Sequence, residues 1–392
     1  MKQAIFIILT GGKIAVSSKA ENYTMRVFYL IAIVFVVDGH LQTGHMFEMN
    51  GLFRYYSFHL MMFAFGSGYF FKLYGKPLPD ILHRAKKLLI PLYFWNLVYG
   101  IGAALLRRFG GFEQGEPLSA YTLLLAPLAD GEHFVWNLGS WFIFPLFCVQ
   151  VFYAFLRRLS SLWHEKEGMT FLLCLIFGCT AVQLCYTGRQ DILPIWMLRP
   201  MILLPGFAGG VLYRRVLERH DHLPTVPYLA VIVILRALLC TRYENLAYLL
   251  SDCSYFVCDA FGVYAGAALA IAFYLRISRL IAPHIGKSRF ALAISRSTFD
   301  IMMHHYMGFF ALNCFFLIVH ILGLGAADFS VNAFRTRSDY IYVPDGRTEW
   351  NVLYLLCGVT LPLLIGHTAR AIKTRLQACL SRRHRLESDS AQ

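Results

Sequence analysis

Residues 26–40 read RVFYLIAIVFVVDGH, an apolar run with an arginine at one end and Asp38-Gly39-His40 at the other. The solvent around that run decides what its polar ends mean. Of the 392 residues, 57% are hydrophobic, 16% aromatic and only 15% charged, an apolar share above that of ordinary soluble domains. The composition predicts an all-α, polytopic membrane protein. A membrane barrel would instead show short runs of alternating polarity, and a lipid-exposed backbone must otherwise satisfy its own hydrogen bonds as helix.

Apolar runs sized to a hydrocarbon core about 30 Å thick fall near 27–41, 53–71, 88–106, 138–156, 169–186, 195–213, 226–241, 255–275, 299–322 and 351–369, giving about ten transmembrane helices. The net charge of +13 does not predict nucleic-acid binding, because the cations form short clusters between apolar runs instead of one patch on a polar domain. Alternate loops hold 26 of the 36 Lys and Arg residues, the remaining loops hold eight, counting Arg54 at the edge of its run, and two, Arg199 and Arg236, fall well within spans. The positive-inside rule then puts both termini in the cytoplasm. It makes 107–137 and 323–350 the long loops of the opposite face. The expected organisation is a cytoplasmic extension over 1–25, one membrane domain over 26–370 and a basic cytoplasmic tail over 371–392, multi-pass in the cell (inner or plasma) membrane.

The ten cysteines lie mostly inside spans and suggest no disulfide scaffold. No Cys-x-x-Cys or His-x-x-x-His pair suggests a metal site. The informative residues are ionisable ones inside apolar runs, where each costs at least about 2.5 kcal/mol at mid-helix on insertion scales. Fourteen residues separate Arg26 from His40, roughly 21 Å along a helix, so the two cannot touch. Asp38, two residues from His40, points to nearly the opposite face. A basic His40 therefore needs a partner from another helix. Asp300 and His304, four residues apart, share a face on which a carboxylate can orient an imidazole, and His305 follows. Arg199 is placed to hold pyrophosphate or to pair with Asp300, and Arg236 reads as half of a structural ion pair. Arg84, Lys86 and Lys87 cluster at a cytoplasmic end and suit phosphate groups. Gly66-Ser67-Gly68 permits close helix approach.

Several of these stretches, in order, resemble the membrane acyltransferase-3 family, with the nearest look to its polysaccharide and sugar O-acetyltransferase branch. IAIVFVVDGH (31–40) resembles its first helix, which ends in a histidine, and FHLMMFAFGSGYFFK (58–72) its second. HRAKKLLIPLYFW (83–95), SWFIFPLF (140–147), MLRPMILLPGFAGGVLYRR (197–215) and STFDIMMHHYMGF (297–309) resemble later segments. The resemblance implies an enzyme that moves an acyl group, usually acetyl from cytoplasmic acetyl-CoA, to a glycan hydroxyl at the other face, with acyl-CoA, a glycan and the bilayer as partners and no bound cofactor. It gives His40 the role of the first-helix histidine. Asp300, His304 and His305 join it as catalytic candidates. Arg26, Arg84, Lys86, Lys87 and Arg199 become candidates for donor binding, and His59, Ser67, Tyr69 and Trp141 for acceptor binding. The family's basic residue eleven positions before its histidine is Tyr29 here, with Arg26 one turn earlier. A secondary transporter using the same buried groups as an ion relay, and a polysaccharide flippase or polymerase, remain the alternatives from sequence.

Overall fold

The computed structural model describes residues 22–41, 44–49, 51–131, 134–160, 166–244 and 246–390, with backbone alone at 166, 380 and 382–390. Residues 1–21 of the expected N-terminal extension lie outside the described residues. Twelve α-helices are described: α1 Tyr23–Gly39, α2 His59–Tyr69, α3 Pro77–Gly110, α4 Ile143–Leu159, α5 Lys166–Tyr186, α6 Ile195–Leu212, α7 Thr225–Arg242, α8 Ala260–Ile285, α9 Arg289–Arg296, α10 Thr298–Ile321, α11 Val331–Thr336 and α12 Asn351–Ser390. A two-residue antiparallel ladder pairs Tyr248–Leu249 with Tyr255–Phe256 in the loop after α7.

Among the described residues, eight helical segments are long and apolar enough to cross a membrane. The two helices that carry the first family signatures are shorter. Helix α1 has 17 residues, opened by the Asn22 side chain accepting from the Met25 amide, and α2 has 11, about 16 Å of rise. The apolar run at 53–71 is thus only partly helix. Its first residues form a 3₁₀ turn at Tyr55–Ser57, so a hydropathy window that counts apolar residues overstates the length of this span. At the other end, α12 runs unbroken through residue 370, where the sequence divides membrane domain from tail.

Lipid tails are as apolar as the helices, so association depends on close packing and small residues. Helix α6 is central, packing on α2, α4 and α5, while α10 lies along α12 and α1 along α8. The closest crossing is reciprocal. A Cβ added to Gly68 on α2 would stand 1.9 Å from the Phe207 carbonyl oxygen of α6, and one added to Gly210 on α6 would stand 1.9 Å from the Phe65 oxygen of α2. Outward apolar side chains such as Ile90 and Phe94 on α3 and Leu238 on α7 are exposed, as a lipid-facing surface requires.

The break at Ser297, between α9 and α10, sets the depth of the late histidines. His40 follows the 17 residues of α1, about 25 Å of rise, whereas His305 lies seven residues into α10, about 10 Å. Gly358 of α12 lies against both Val37 of α1 and Phe309 of α10, so α10 starts further from the cytoplasmic end than α1 does. A span starting at 299 on the cytoplasmic face leaves its histidines shallow, whereas a start near Ala291 brings them toward mid-depth; the helical stretch does start further back, at Arg289, with a break at Ser297.

Candidate active site

His40 is the C-cap of α1, and its backbone N–H bonds to Val37 and Asp38 carbonyls. Its ring meets His305 of α10, with Nδ1 of His40 3.0 Å from Nε2 of His305 and the rings nearly parallel at 4.8 Å. The opposite nitrogen of His305, Nδ1, faces the carbonyls of Ile301 at 3.0 Å and Met302 at 3.1 Å. Carbonyls only accept, so in neutral His305 the proton is on Nδ1 and Nε2 accepts. His40 must then donate from Nδ1. Its Nε2 is left with the free lone pair, the form required of a general base.

Close approach here depends on Gly139. A Cβ at that position would lie 2.6 Å from His305 Cε1 and 2.6 Å from the Met302 oxygen, so the 135–142 turn can lie against α10 only as glycine. His40, His59, Tyr56, Trp141, Phe142 and Tyr306 line a cavity of about 190 Å³. His59 uses the same device as His305: its Nδ1 bonds to the Tyr55 carbonyl one turn back, at 2.5 Å, leaving Nε2 as an acceptor. A narrower branch of about 40 Å³ runs from His40 past Tyr306 and Asn313 to Gln114 and Asp339 in the outer loops. The hydrogen-bonded Arg337 guanidinium holds the Asp339 carboxyl below the usual carboxylate range, so the mouth carries an ion pair.

Asp38 is buried and turned away from His40. It accepts from the Tyr55 hydroxyl at 2.6 Å, the Met46 amide at 2.9 Å and the Phe47 amide at 3.2 Å, tying the segment after α1 to the turn before α2. Asp38→Ala leaves those donors unpaired, at about 1–3 kcal/mol for each buried group. The expected result is faster amide hydrogen exchange confined to residues 44–57; unchanged exchange there would remove Asp38 as the tie.

Other candidates stand elsewhere. The reading that Asp300 orients His304 is corrected. Asp300 pairs with Arg370 of α12 at 2.5 Å, whereas His304 Nδ1 bonds to the Tyr99 hydroxyl of α3 at 2.7 Å and its ring lies edge-on to Trp95. The two residues share a helix face but face different neighbours. Asp300→Asn is accordingly expected to leave acyl transfer within about threefold of wild type. A loss of the 10²-fold size typical of acid–base groups would restore Asp300 to the chemistry.

Arg199 neither pairs with Asp300 nor lies toward the cytoplasmic face. It sits in the first turns of α6, which starts at the outer side, buried with its guanidinium over the Trp141 ring at 5.0 Å. That places it behind the histidine cavity, away from a cytoplasmic pyrophosphate. Arg236 has no carboxylate partner among the described residues. It donates to the Leu52 carbonyl at 2.7 Å and the Ser57 hydroxyl at 2.6 Å and lies over Phe53, so the expected ion pair is instead a clamp on the turn that leads into α2.

Arg84 is buried and committed to Asp80, the Lys72 carbonyl and Gln150, whereas Lys86 and Lys87 are exposed. Arg26 donates to the Gly286 carbonyl at 2.6 Å and covers Tyr23. Ser67 is hydrogen-bonded to Tyr29 and Tyr69 to Asn22 and Glu218. Both lie toward the cytoplasmic ends of α1 and α2, so neither reaches the cavity at His40. The sequence reading passed over Tyr55, Tyr56, Gly139 and Tyr306, which shape that cavity. Only the Tyr306 position, next to a histidine pair within a matched segment, gave a local signal.

The family model described as an acyltransferase domain matches residues 30–367. The chain belongs to the membrane acyltransferase-3 family. The match begins within α1, takes in both histidine-bearing segments and ends in α12, so the whole cavity lies inside it. This acyltransferase matches no curated protein and no solved structure. As a multi-pass membrane acyltransferase it uses an acyl donor and an acceptor.

Proposed function

We infer that this acyltransferase transfers an acyl group, acetyl from acetyl-CoA being the first choice, to a hydroxyl of a cell-surface or exported glycan in the plasma membrane. The observation that carries this reading is the His40–His305 pair at a cavity beneath the outer loops. A sugar hydroxyl is a weak nucleophile near neutral pH, and an imidazole within hydrogen-bond reach can take its proton during attack on a thioester carbonyl. His40 Nε2 is that base. His305 accepts from His40 Nδ1 and holds the ring in the tautomer that leaves Nε2 free. His59 Nε2 is a second acceptor for orienting the hydroxyl. Exposed Lys86 and Lys87 at the cytoplasmic end of α3 suit the phosphates of CoA; Arg84, already paired, fixes the helix that carries them.

The test is O-acyl analysis of the host's surface glycans by NMR in a strain lacking the gene, complemented with wild type or with His40→Ala at equal protein level. Loss of a defined O-acyl signal in the deletion, restored by wild type only, is the expected result. Intact acylation in the deletion, with a solute-uptake defect instead, would replace this reading with transport.

A further inference from the structure

A second cleft of about 260 Å³ adjoins the histidine cavity on the outer side, sharing Tyr56, Tyr248 and Leu249 with it as a common wall. Its other lining includes His45, Glu48, Arg54 and Tyr255. Resting on the reading of this protein as a glycan acyltransferase, we propose that the cleft is a second acceptor subsite, in which Arg54 binds the anionic substituent, a carboxylate or phosphate, of a sugar unit next to the one acylated.

The charged groups decide the sign of the ligand. Glu48 is anionic, with its Oε1 held by the Tyr55 amide at 3.1 Å, so the guanidinium of Arg54 is the group in the cleft that can draw an anion. His45 donates from Nδ1 to the Asp38 carbonyl at 3.1 Å, which leaves Nε2 as an acceptor. Arg54 is half-buried and its guanidinium makes no hydrogen bond or ion pair among the described residues. It lies along Gly51, where a Cβ would be 3.7 Å from Nε and 3.8 Å from Nη2, and the φ of +75° at Gly51 favours a residue without a side chain. A guanidinium presents a planar fork of donors matched to carboxylate and phosphate oxygens, and partial burial strengthens that attraction relative to bulk water. Tyr56 and Tyr255 supply aromatic faces on which a sugar ring rests. Because Tyr56 belongs to both cavities, a unit seated at Arg54 holds its neighbour beside His40 and His59. The acceptor fitted by this pair of cavities is therefore an oligomeric acidic glycan.

The test uses the full-length protein in detergent micelles and, as probe, a glucuronate-rich oligosaccharide compared with the same material after carboxyl reduction to neutral sugar. Binding is measured calorimetrically without any acyl donor, so the result stands apart from whether acyl transfer occurs. The wild type is expected to bind the charged oligosaccharide about tenfold more tightly, about 1.4 kcal/mol. Arg54→Ala should abolish the preference while Arg54→Lys, which keeps the charge but not the fork, retains part of it. Size-exclusion profiles of the variants confirm that they are folded. Equal binding of the two oligosaccharides to the wild type, no binding of either, or a preference that survives in Arg54→Ala overturns the proposal. A retained preference in a protein that transfers no acyl group to any glycan would instead leave the subsite standing and remove the acyltransfer reading.

Discussion

Replacing His40 with alanine is expected to lower acyl transfer by about 10²- to 10⁴-fold, the contribution of a positioned general base, with the protein still folded and membrane-inserted. The imidazole sits at the end of α1 and lines a cavity, so its removal enlarges open space more than it disrupts packing. His305 provides the graded comparison. Its loss leaves His40 Nε2 in place but frees the ring to rotate and to change tautomer. Loss of an orienting partner of this kind weakens a functional imidazole by about 10- to 100-fold where it has been measured at metal sites. His305→Gln, which can still present an acceptor oxygen to His40 Nδ1, should retain more activity than His305→Phe. Initial rates of labelled acetyl transfer from acetyl-CoA into membrane glycan give the measurement. A His40→Ala enzyme within threefold of wild type would end the assignment of the base, and equal rates for the Gln and Phe variants would end the orienting role of His305.

The second large effect concerns the crossing of α2 and α6. Alanine at Gly68 or Gly210 puts a methyl group 1.9 Å from a backbone carbonyl oxygen. A carbonyl within a helix cannot swing aside as a side chain would, so the helices must separate. Overpacking of this kind costs about 1–3 kcal/mol and sometimes more. The contacts are reciprocal across one interface, so once either methyl has moved the helices apart the second meets less resistance. The double variant should accordingly lose less stability than the sum of the single variants. Thermal denaturation of the purified protein in detergent reads both effects. Wild-type melting in Gly68→Ala, or strict additivity in the double variant, would mean that the two glycines do not share one contact. Gly66 gives the contrast: a Cβ there would meet the Tyr29 phenol at 2.7 Å, a side chain able to move, so Gly66→Ala should cost less.

The helical architecture was legible because the bilayer imposes it: a backbone in lipid has few choices, and long apolar runs report them. The length of α2 was not legible, since apolar residues in the 3₁₀ turn at Tyr55–Ser57 look like apolar residues in a helix. The candidate site divides along the same line. That His40 needs a partner from another helix followed from helical geometry, since Asp38 and Arg26 are both out of reach. Which partner it has depended on the relative depth of two helices, set by the break at Ser297. Spacing made Asp300 and His304 look like a pair because they share a face, but a shared face does not mean a shared neighbour: α12 supplies Arg370 to one and α3 supplies Tyr99 to the other. Ser67, Tyr69 and Arg84 read in the sequence as groups for ligands outside the chain, but nearby residues already satisfy them. The converse case is Arg54, an ordinary loop residue in the sequence that only the fold shows lining the second cleft.

The carbonyls of Ile301 and Met302, which fix the proton on His305, also block a path. A peptide oxygen does not take up a proton near neutral pH, so the line from His40 through His305 is a dead end and not a wire leading to the cytoplasm. Under the proposed chemistry, a proton collected on His40 Nε2 can leave only by the nitrogen through which it arrived. The departing sulfur of the donor takes it up from that nitrogen, directly or through water or His59 Nε2 in the same cavity. One chamber then serves both substrates, and a reaction cycle moves no proton across the membrane through this histidine pair.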